Sequence, residues 1–290
     1  MNEGVGGTTT VLLATDLGAR CDRATARAIR LVDDFGGAAF AATVAAPADT
    51  VSREVLRQRT PDWYLPASPL MRARQQLQRE FEGRARWSIR IGEGAPAAFL
   101  AQQLDAAGSD ALVVTGPMRE GVLGPTVLGS TVDALLRRPR LSLLVVRALA
   151  HAGYRRLLVA CDFSLPARRA LLRARELFPE AELAVLHGFS VPMLGMMDTG
   201  QDEAIAQTAR QARARGTEFL HECGIGEGEA TLLVEHGDPA RLVRQYLDTY
   251  GDSLVVAGTH GHGAMYELVV GSVARRIIAT VDADVLMVRG

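Results

Sequence analysis

Residues 253–278 read SLVVAGTHGHGAMYELVVGSVARRII. A short apolar run ends at Ala257-Gly258, glycines fall at 258, 261 and 263, and helical spacing resumes after Gly271-Ser272. The run has the length and composition of a buried strand, and the glycine density that follows is too high for a helix. A chain that leaves a strand, spends three glycines and then starts a helix is shaped for close approach of its main chain to something. Phosphate is the commonest such partner, because helix N-terminal N–H groups and glycine-turn N–H groups both face an anion.

The same pattern occurs earlier in the chain. GSTVDALLRRPRLSLLVVR, from Gly129, matches GSVARRIIATVDADVLMVR, from Gly271. TTTVLLATDLGARCDRATARAI matches YRRLLVACDFSLPARRALLRA, and SIRIGEGAPAAFLAQQLDAAGSDALVVTG matches LLVEHGDPARLVRQYLDTYGDSLVVAG. Asp16 and Asp162 are 146 residues apart, whereas Gly116 and Gly258, Gly129 and Gly271, and Arg147 and Arg289 are each 142 apart. A shift that drifts by so little over half a chain marks a tandem duplication with small loop changes. The predicted domains are residues 1–148 and 153–290, joined by the short ALAHAG connection.

Within the second half RRLLVA, ELAVLH, TLLVEH, SLVVA and DVLMV read as strands. Helical spacing appears in PARRALLRARELF, residues 201–222, DPARLVRQYLDTY and GSVARRIIAT. Asp238 followed by Pro239 is a start signal for the third of these helices. Apolar strands alternating with helices imply a parallel sheet covered on both faces with right-handed crossovers, so the fold class is α/β, two doubly wound domains in tandem.

Composition narrows the function. The 290 residues are 48% hydrophobic and 22% charged, with formal net charge −1, which gives no reason to expect nucleic acid or an anionic membrane as partner. All 32 basic residues are arginine, which excludes Schiff-base chemistry and the lysine of a Walker loop. Cys21, Cys161 and Cys223 are odd in number and lack CxxC spacing, as expected of reduced thiols. The N-terminal segment lacks the basic region of a signal peptide, and no apolar stretch approaches the roughly 18–20 residues that span a bilayer. The expectation is a soluble, cytoplasmic protein.

In open parallel sheets ligands bind beyond the carboxyl ends of the strands. Two features of the second half converge there: Asp162, just after the first strand, and the loop from Gly258 to Ser272. Gly258 and Gly261 can bring main-chain N–H groups close to an anion, and Gly271-Ser272-Val273 adds a helix N-terminus and a hydroxyl. This set can cradle a polyphosphate without lysine. Asp162 is a poor phosphate ligand and suits a ribose hydroxyl or a bound Mg²⁺.

The order Gly, two residues, Gly, nine residues, Gly-Ser in residues 258–272 closely resembles the loop of ATP-binding members of the universal stress protein family. CDFS at 161–164 and VLHG at 185–188 resemble that family's first and second strand ends. The resemblance covers both halves and implies a tandem-type member, each half carrying a five-stranded parallel sheet. By position it implies ATP contacts from Ala160, Asp162, the Gly188 main chain, Ala257, Gly258, Gly261, Gly271, Ser272 and Val273, with Mg²⁺ as an optional companion. It also implies that the last strands, LSLLVV at 141–146 and DVLMV at 284–288, lie at sheet edges. Their pairing would make an internal pseudo-dimer, burying Val145 and Val146 near Leu286 and Val288 and leaving a homodimer of whole chains open.

The first half departs from this pattern. Gly116, Gly129 and Ser130 are kept, but Arg119 stands where the second glycine belongs, and Pro117 and Pro125 remove N–H donors. The intact site is expected in the second half only. Plainer readings stand beside these. The loop could be a surface connection and Asp162 a helix cap; His260 and His262 read as solvated, His187 as a satisfied core residue and Cys161 as an inert thiol. No paired carboxylates, Ser-His-Asp order or metal cluster stands out, so efficient catalysis is not expected. The expected function is a stress-response regulator that binds adenine nucleotide and an unidentified protein partner. A slow ATPase or adenylyl-transfer enzyme and a silent interaction module remain as alternatives.

Overall fold

The computed structural model describes residues 9–45, 68–108, 110–117, 130–138, 140–192, 194, 199–251, 253–259 and 271–289. The chain resolves into two compact units, Met1–Gly116 and Pro117–Gly290. This division differs from the repeat boundary, because the last helix and strand of the first repeat belong to the second unit.

In the first unit β1 (Val11–Ala14) leads through a short 3-10 turn into α1 (Asp22–Phe35), then β2 (Ala39–Val44), α2 (Pro69–Glu80), β3 (Trp87–Gly92), α3 (Pro96–Ala107) and β4 (Leu112–Thr115). The strands lie in the order β3-β2-β1-β4, and the described ladders are parallel. Val11, Leu12, Leu13, Leu112, Val113 and Val114 are fully buried, the signature of strands covered on both faces.

The second unit holds α4 (Ser130–Leu136), β5 (Ser142–Val145), β6 (Arg156–Ala160), α5 (Leu165–Leu177), β7 (Glu182–Phe189), α6 (Gln201–Glu222), β8 (Ala230–His236), α7 (Pro239–Tyr250), β9 (Leu254–Gly258), α8 (Ser272–Thr280) and β10 (Val285–Val288). Its strand order is β5-β10-β9-β6-β7-β8. The five strands of the second repeat pair in parallel, and β5 joins β10 antiparallel. Helix starts follow local chemistry. Ser164 caps α5 by accepting the Ala167 N–H at 3.3 Å, and Asp238 caps α7 by accepting the Arg241 N–H at 3.1 Å, with Pro239 beginning the helix.

The expected pairing of the last strands is present, with one shift. Val145 and Val146 are buried, but Val145 faces Val285, Leu144 faces Leu286 and Ser142 faces Val288. Antiparallel strands set the end of one against the start of the other, so Val288 meets the beginning of β5 rather than its end. Asp284, 1% exposed, secures the chain between the repeats. Its Oδ1 accepts the N–H groups of Arg147 (2.7 Å) and Ala148 (2.8 Å), and its Oδ2 accepts the Tyr154 hydroxyl at 2.5 Å. Three donors satisfy a buried carboxylate that would otherwise be costly.

Candidate functional site

β6 lies between β7 and β9, which the chain reaches by leaving in opposite directions, so the crevice at its carboxyl end is the topological switch point of this sheet. Ala160, the last residue of β6, is opposite Leu186 of β7 and Ala257 of β9. Cys161 extends the contact by one step, its N–H donating to the Leu186 carbonyl at 2.9 Å.

The chain then turns sharply. Asp162 Oδ1 accepts the Ser164 N–H at 3.1 Å, and Phe163 sits in the left-handed region at φ 60°. Ser164, not Asp162, is the cap of α5, which places the half-buried Asp162 two residues ahead of the cap. A bulky residue held left-handed costs on the order of 1–3 kcal/mol and persists only where its surroundings enforce it. Here the enforcement is aromatic. The buried Phe163 ring stacks on His187 with centroids 4.3 Å apart, lies 5.6 Å from the Phe219 ring, and has the Arg215 guanidinium 5.8 Å from its centroid. A Cβ on Gly216 of α6 would lie 2.8 Å from the Leu232 side chain and 3.0 Å from that ring, so a glycine there makes room for both.

On the other side of the crevice, a Cβ on Gly258 would lie 2.9 Å from the main-chain carbonyl of Pro166 in the first turn of α5. Gly258 is not in the left-handed region. Its glycine lets β9 close against α5, a packing duty that the anion-cradle reading of the sequence did not contain. Thr259, 1% exposed, donates its N–H to the Val288 carbonyl at 3.1 Å and accepts the Gly271 N–H at 2.7 Å. The chain therefore leaves at Thr259 and returns at Gly271 beside the same strand end. Gly261 lies between them, outside the described residues, as do Gly263, His260 and His262.

Gly271 is the N-cap of α8, with φ −55° and ψ 149° and no side-chain cap bond. Among the described residues the atom nearest to an added Cβ is the Thr259 carbonyl oxygen at 3.5 Å, an ordinary contact. Neither backbone strain nor crowding by those residues requires glycine here. The consequence of having it is that the N-cap offers no side chain to the first N–H groups of α8, which have no side-chain cap among the described residues and lie behind an exposed Ser272 and a half-buried Val273. Gly188 lies on β7 two residues beyond Leu186, and a Cβ there would meet Leu242 at 3.0 Å and the Gly237 carbonyl and Pro239 ring at 3.1 Å. The structure thus places Ala160 and Asp162 at the carboxyl end of β6, and Ala257, Gly258, Gly271, Ser272 and Val273 at or beside the carboxyl end of the neighbouring β9, with Gly188 along the same edge of the sheet.

The first repeat repeats the turn with other atoms. Asp16 Oδ1 accepts the Gly18 N–H at 2.9 Å and the Cys21 thiol at 3.2 Å, and Leu17 sits at φ 60° with its N–H on Thr15 Oγ1 at 3.0 Å. A Cβ on Gly116 would lie 2.8 Å from the Arg20 carbonyl oxygen. Arg119, Pro125 and Gly129 fall outside the described residues.

Cys161 is a buried, neutral thiol; burial pushes its pKa up to about 12, and its sulfur accepts the Phe163 N–H at 3.3 Å. Among the described residues no group of three or more His, Cys, Asp or Glu is placed to hold a metal ion, and no helix is long and apolar enough to cross a membrane. Sequence reasoning missed the place of His187, whose ring contacts the turn that carries Asp162, and no local signal in the sequence gives that contact.

The universal stress protein family model matches residues 7–147 and again 153–289. A universal stress protein from Mycolicibacterium smegmatis is 27% identical over 201 residues, covering 64% of this chain and 64% of that relative's own length, just under two thirds. A universal stress protein from Thermus aquaticus is 28% identical over 138 residues, covering 47% of this chain and 99% of itself. Among solved structures, a universal stress protein from Archaeoglobus fulgidus superposes with TM-score 0.59 at 17% identity, covering 97% of this chain and 98% of its own, a likeness of fold.

Proposed function

The chain belongs to the universal stress protein family, and from that premise we propose that its second repeat binds one adenine nucleotide, ATP, as a regulatory ligand. The observation that carries the reading is the start of α8. A glycine that neither the backbone nor its described neighbours require leaves that helix uncapped beside the switch-point crevice. Helix N–H groups and the Ser272 hydroxyl supply donors for phosphate oxygens without a lysine. Asp162 accepts from a ribose hydroxyl, Ala160 and Ala257 flank the crevice, and the Gly188 main chain meets the base. Mg²⁺ is bound through the phosphates. The ligand serves a regulatory role rather than rapid turnover, with no residue assigned as a catalytic base.

The test is nucleotide content. ATP or ADP is expected at about one per chain, and Gly261→Arg, which copies the first repeat, abolishes it; binding that survives this change overturns the assignment to the second repeat. Hydrolysis should fall far below the ordinary enzyme range of roughly 1–1,000 per second. A rate inside that range, removed by Asp162→Ala, would make the protein an ATPase instead.

A further inference from the structure

The β6–β7 ladder ends at Ala160 opposite Leu186, whereas β7 stays paired with β8 as far as Phe189 opposite His236. In a parallel ladder the next rung would bring the Gly188 N–H to the Cys161 carbonyl. The ladder stops short of that rung, and the carbonyl is met by a side chain: His187 Nδ1 lies 2.8 Å from it. A carbonyl can only accept, so Nδ1 carries the proton in this contact.

The contact bears directly on the candidate site. The Cys161 carbonyl and the Asp162 N–H share one rigid peptide plane, so a bond to that oxygen fixes the direction in which the Asp162 turn begins. The other side of the turn is held by the same imidazole, which stacks on Phe163 with an interplanar angle of 25°. One ring thereby secures both the peptide before Asp162 and the strained residue after it. By standing in for the missing rung it also lets β7 part from β6 at Gly188, whose main chain the proposed function assigns to the base.

The first repeat lacks this device. Its ladder ends at the matching place, Ala14 opposite Ala42, with the Thr15 N–H on the Ala42 carbonyl at 3.0 Å. Thr43 therefore occupies the position of His187 and Leu17 that of Phe163, and neither has a ring.

We propose that His187 is the positioning residue of the nucleotide site: its Nδ1–H replaces a strand rung, orients the Asp162 turn and opens the Gly188 edge to the ligand. The proposal rests on the nucleotide reading of the second repeat. The experiment titrates the full chain with MgATP by calorimetry, comparing wild type, His187→Leu and His187→Asn, with the thermal midpoint of each nucleotide-free protein. Leu and Asn are similar in shape, but only Asn can donate to the Cys161 carbonyl. The expected result is a loss of affinity of about tenfold for Leu, the scale of one lost well-placed hydrogen bond, with most of it recovered by Asn. Equal loss in both variants at unchanged thermal midpoints, or no loss in Leu, overturns the proposal while wild-type binding leaves the nucleotide reading standing. Wild type that binds no nucleotide overturns both. If the Leu variant does not fold, two-bond ¹H–¹⁵N correlations on wild type decide: a proton on Nδ1 of His187 supports the role, and a neutral ring protonated on Nε2 overturns it.

Discussion

In the first repeat a Cβ on Gly116 would lie 2.8 Å from the Arg20 carbonyl oxygen; in the second, a Cβ on Gly258 would lie 2.9 Å from the Pro166 main chain. The two glycines hold the same place, the end of the fourth strand against the start of the first helix. The repeats then part, Arg119 replacing the glycine found at 261. A glycine kept in the half whose loop has lost its pattern is a glycine of the fold. The loop motif thus mixes residues that close the sheet against a helix with residues free to serve a ligand. The comparison sorts them: Gly258 belongs to the first kind, and Gly271, with room for a side chain among its described neighbours, to the second.

The largest expected effect tests that sorting. Gly116→Ala and Gly258→Ala each force a methyl into main-chain atoms that cannot swing aside, and each should cost about 2–3 kcal/mol, within the range for overpacking. Urea unfolding of the two variants provides the check. If Gly258→Ala is costly and Gly116→Ala is harmless, the shared packing role is wrong.

A second difference between the repeats lies at the linker. Ser142 and Asp284 are equivalent by repeat, yet Ser142 accepts from Arg173 Nε at 3.3 Å while Asp284 collects the Arg147 and Ala148 N–H groups and the Tyr154 hydroxyl. Asp284→Ser, which copies the first repeat, should leave buried donors poorly matched and cost about 2 kcal/mol. The readout is a lower unfolding midpoint together with faster proteolysis between Ala148 and Gly153. Unchanged proteolysis would mean that the linker is held without Asp284.

The smallest expected effect concerns the turn itself. Thr15 and Cys161 play one role, accepting the N–H of the left-handed residue two positions on. Cys161→Thr should therefore change stability by no more than about 1 kcal/mol near neutral pH. The two proteins should separate in alkali. The folded thiol keeps its proton to about 12, against 9.0 for an ordinary cysteine. The unfolded chain releases that proton first, so wild-type stability falls as pH rises from about 9 toward 12. The threonine variant lacks this contribution, and an equal alkaline slope in both proteins would contradict the assignment.

Much of this was legible in the sequence because its signals are local. Strands buried on both faces appear as unbroken apolar runs, and Asp238-Pro239 announced α7. The long helix at 201–222 emerged with its predicted bounds. The duplication supplied the tandem architecture, and the pairing of last strands followed from the family resemblance. What was not legible depends on atoms far apart in the chain. Asp284 meets its donors across 130–137 residues. Gly258 looks like any flexible loop glycine until α5 is seen against it. His187 was read as a core residue, since nothing in VLHG says that the ring turns toward the neighbouring strand end. Ser164 rather than Asp162 proved to be the helix cap, a choice between adjacent candidates that local sequence leaves open.

The central claim is that the start of α8 is left uncapped for a ligand, and Gly271→Asp tests it most directly. An aspartate at an N-cap accepts helix N–H groups and complements the helix dipole, worth about 0.3–1 kcal/mol over glycine. The same carboxylate would occupy the donors assigned to phosphate and repel it. The account predicts that Gly271→Asp unfolds at the same or a slightly higher urea concentration than wild type and no longer binds ATP by calorimetry. An equally stable variant that still binds ATP with wild-type affinity would contradict it.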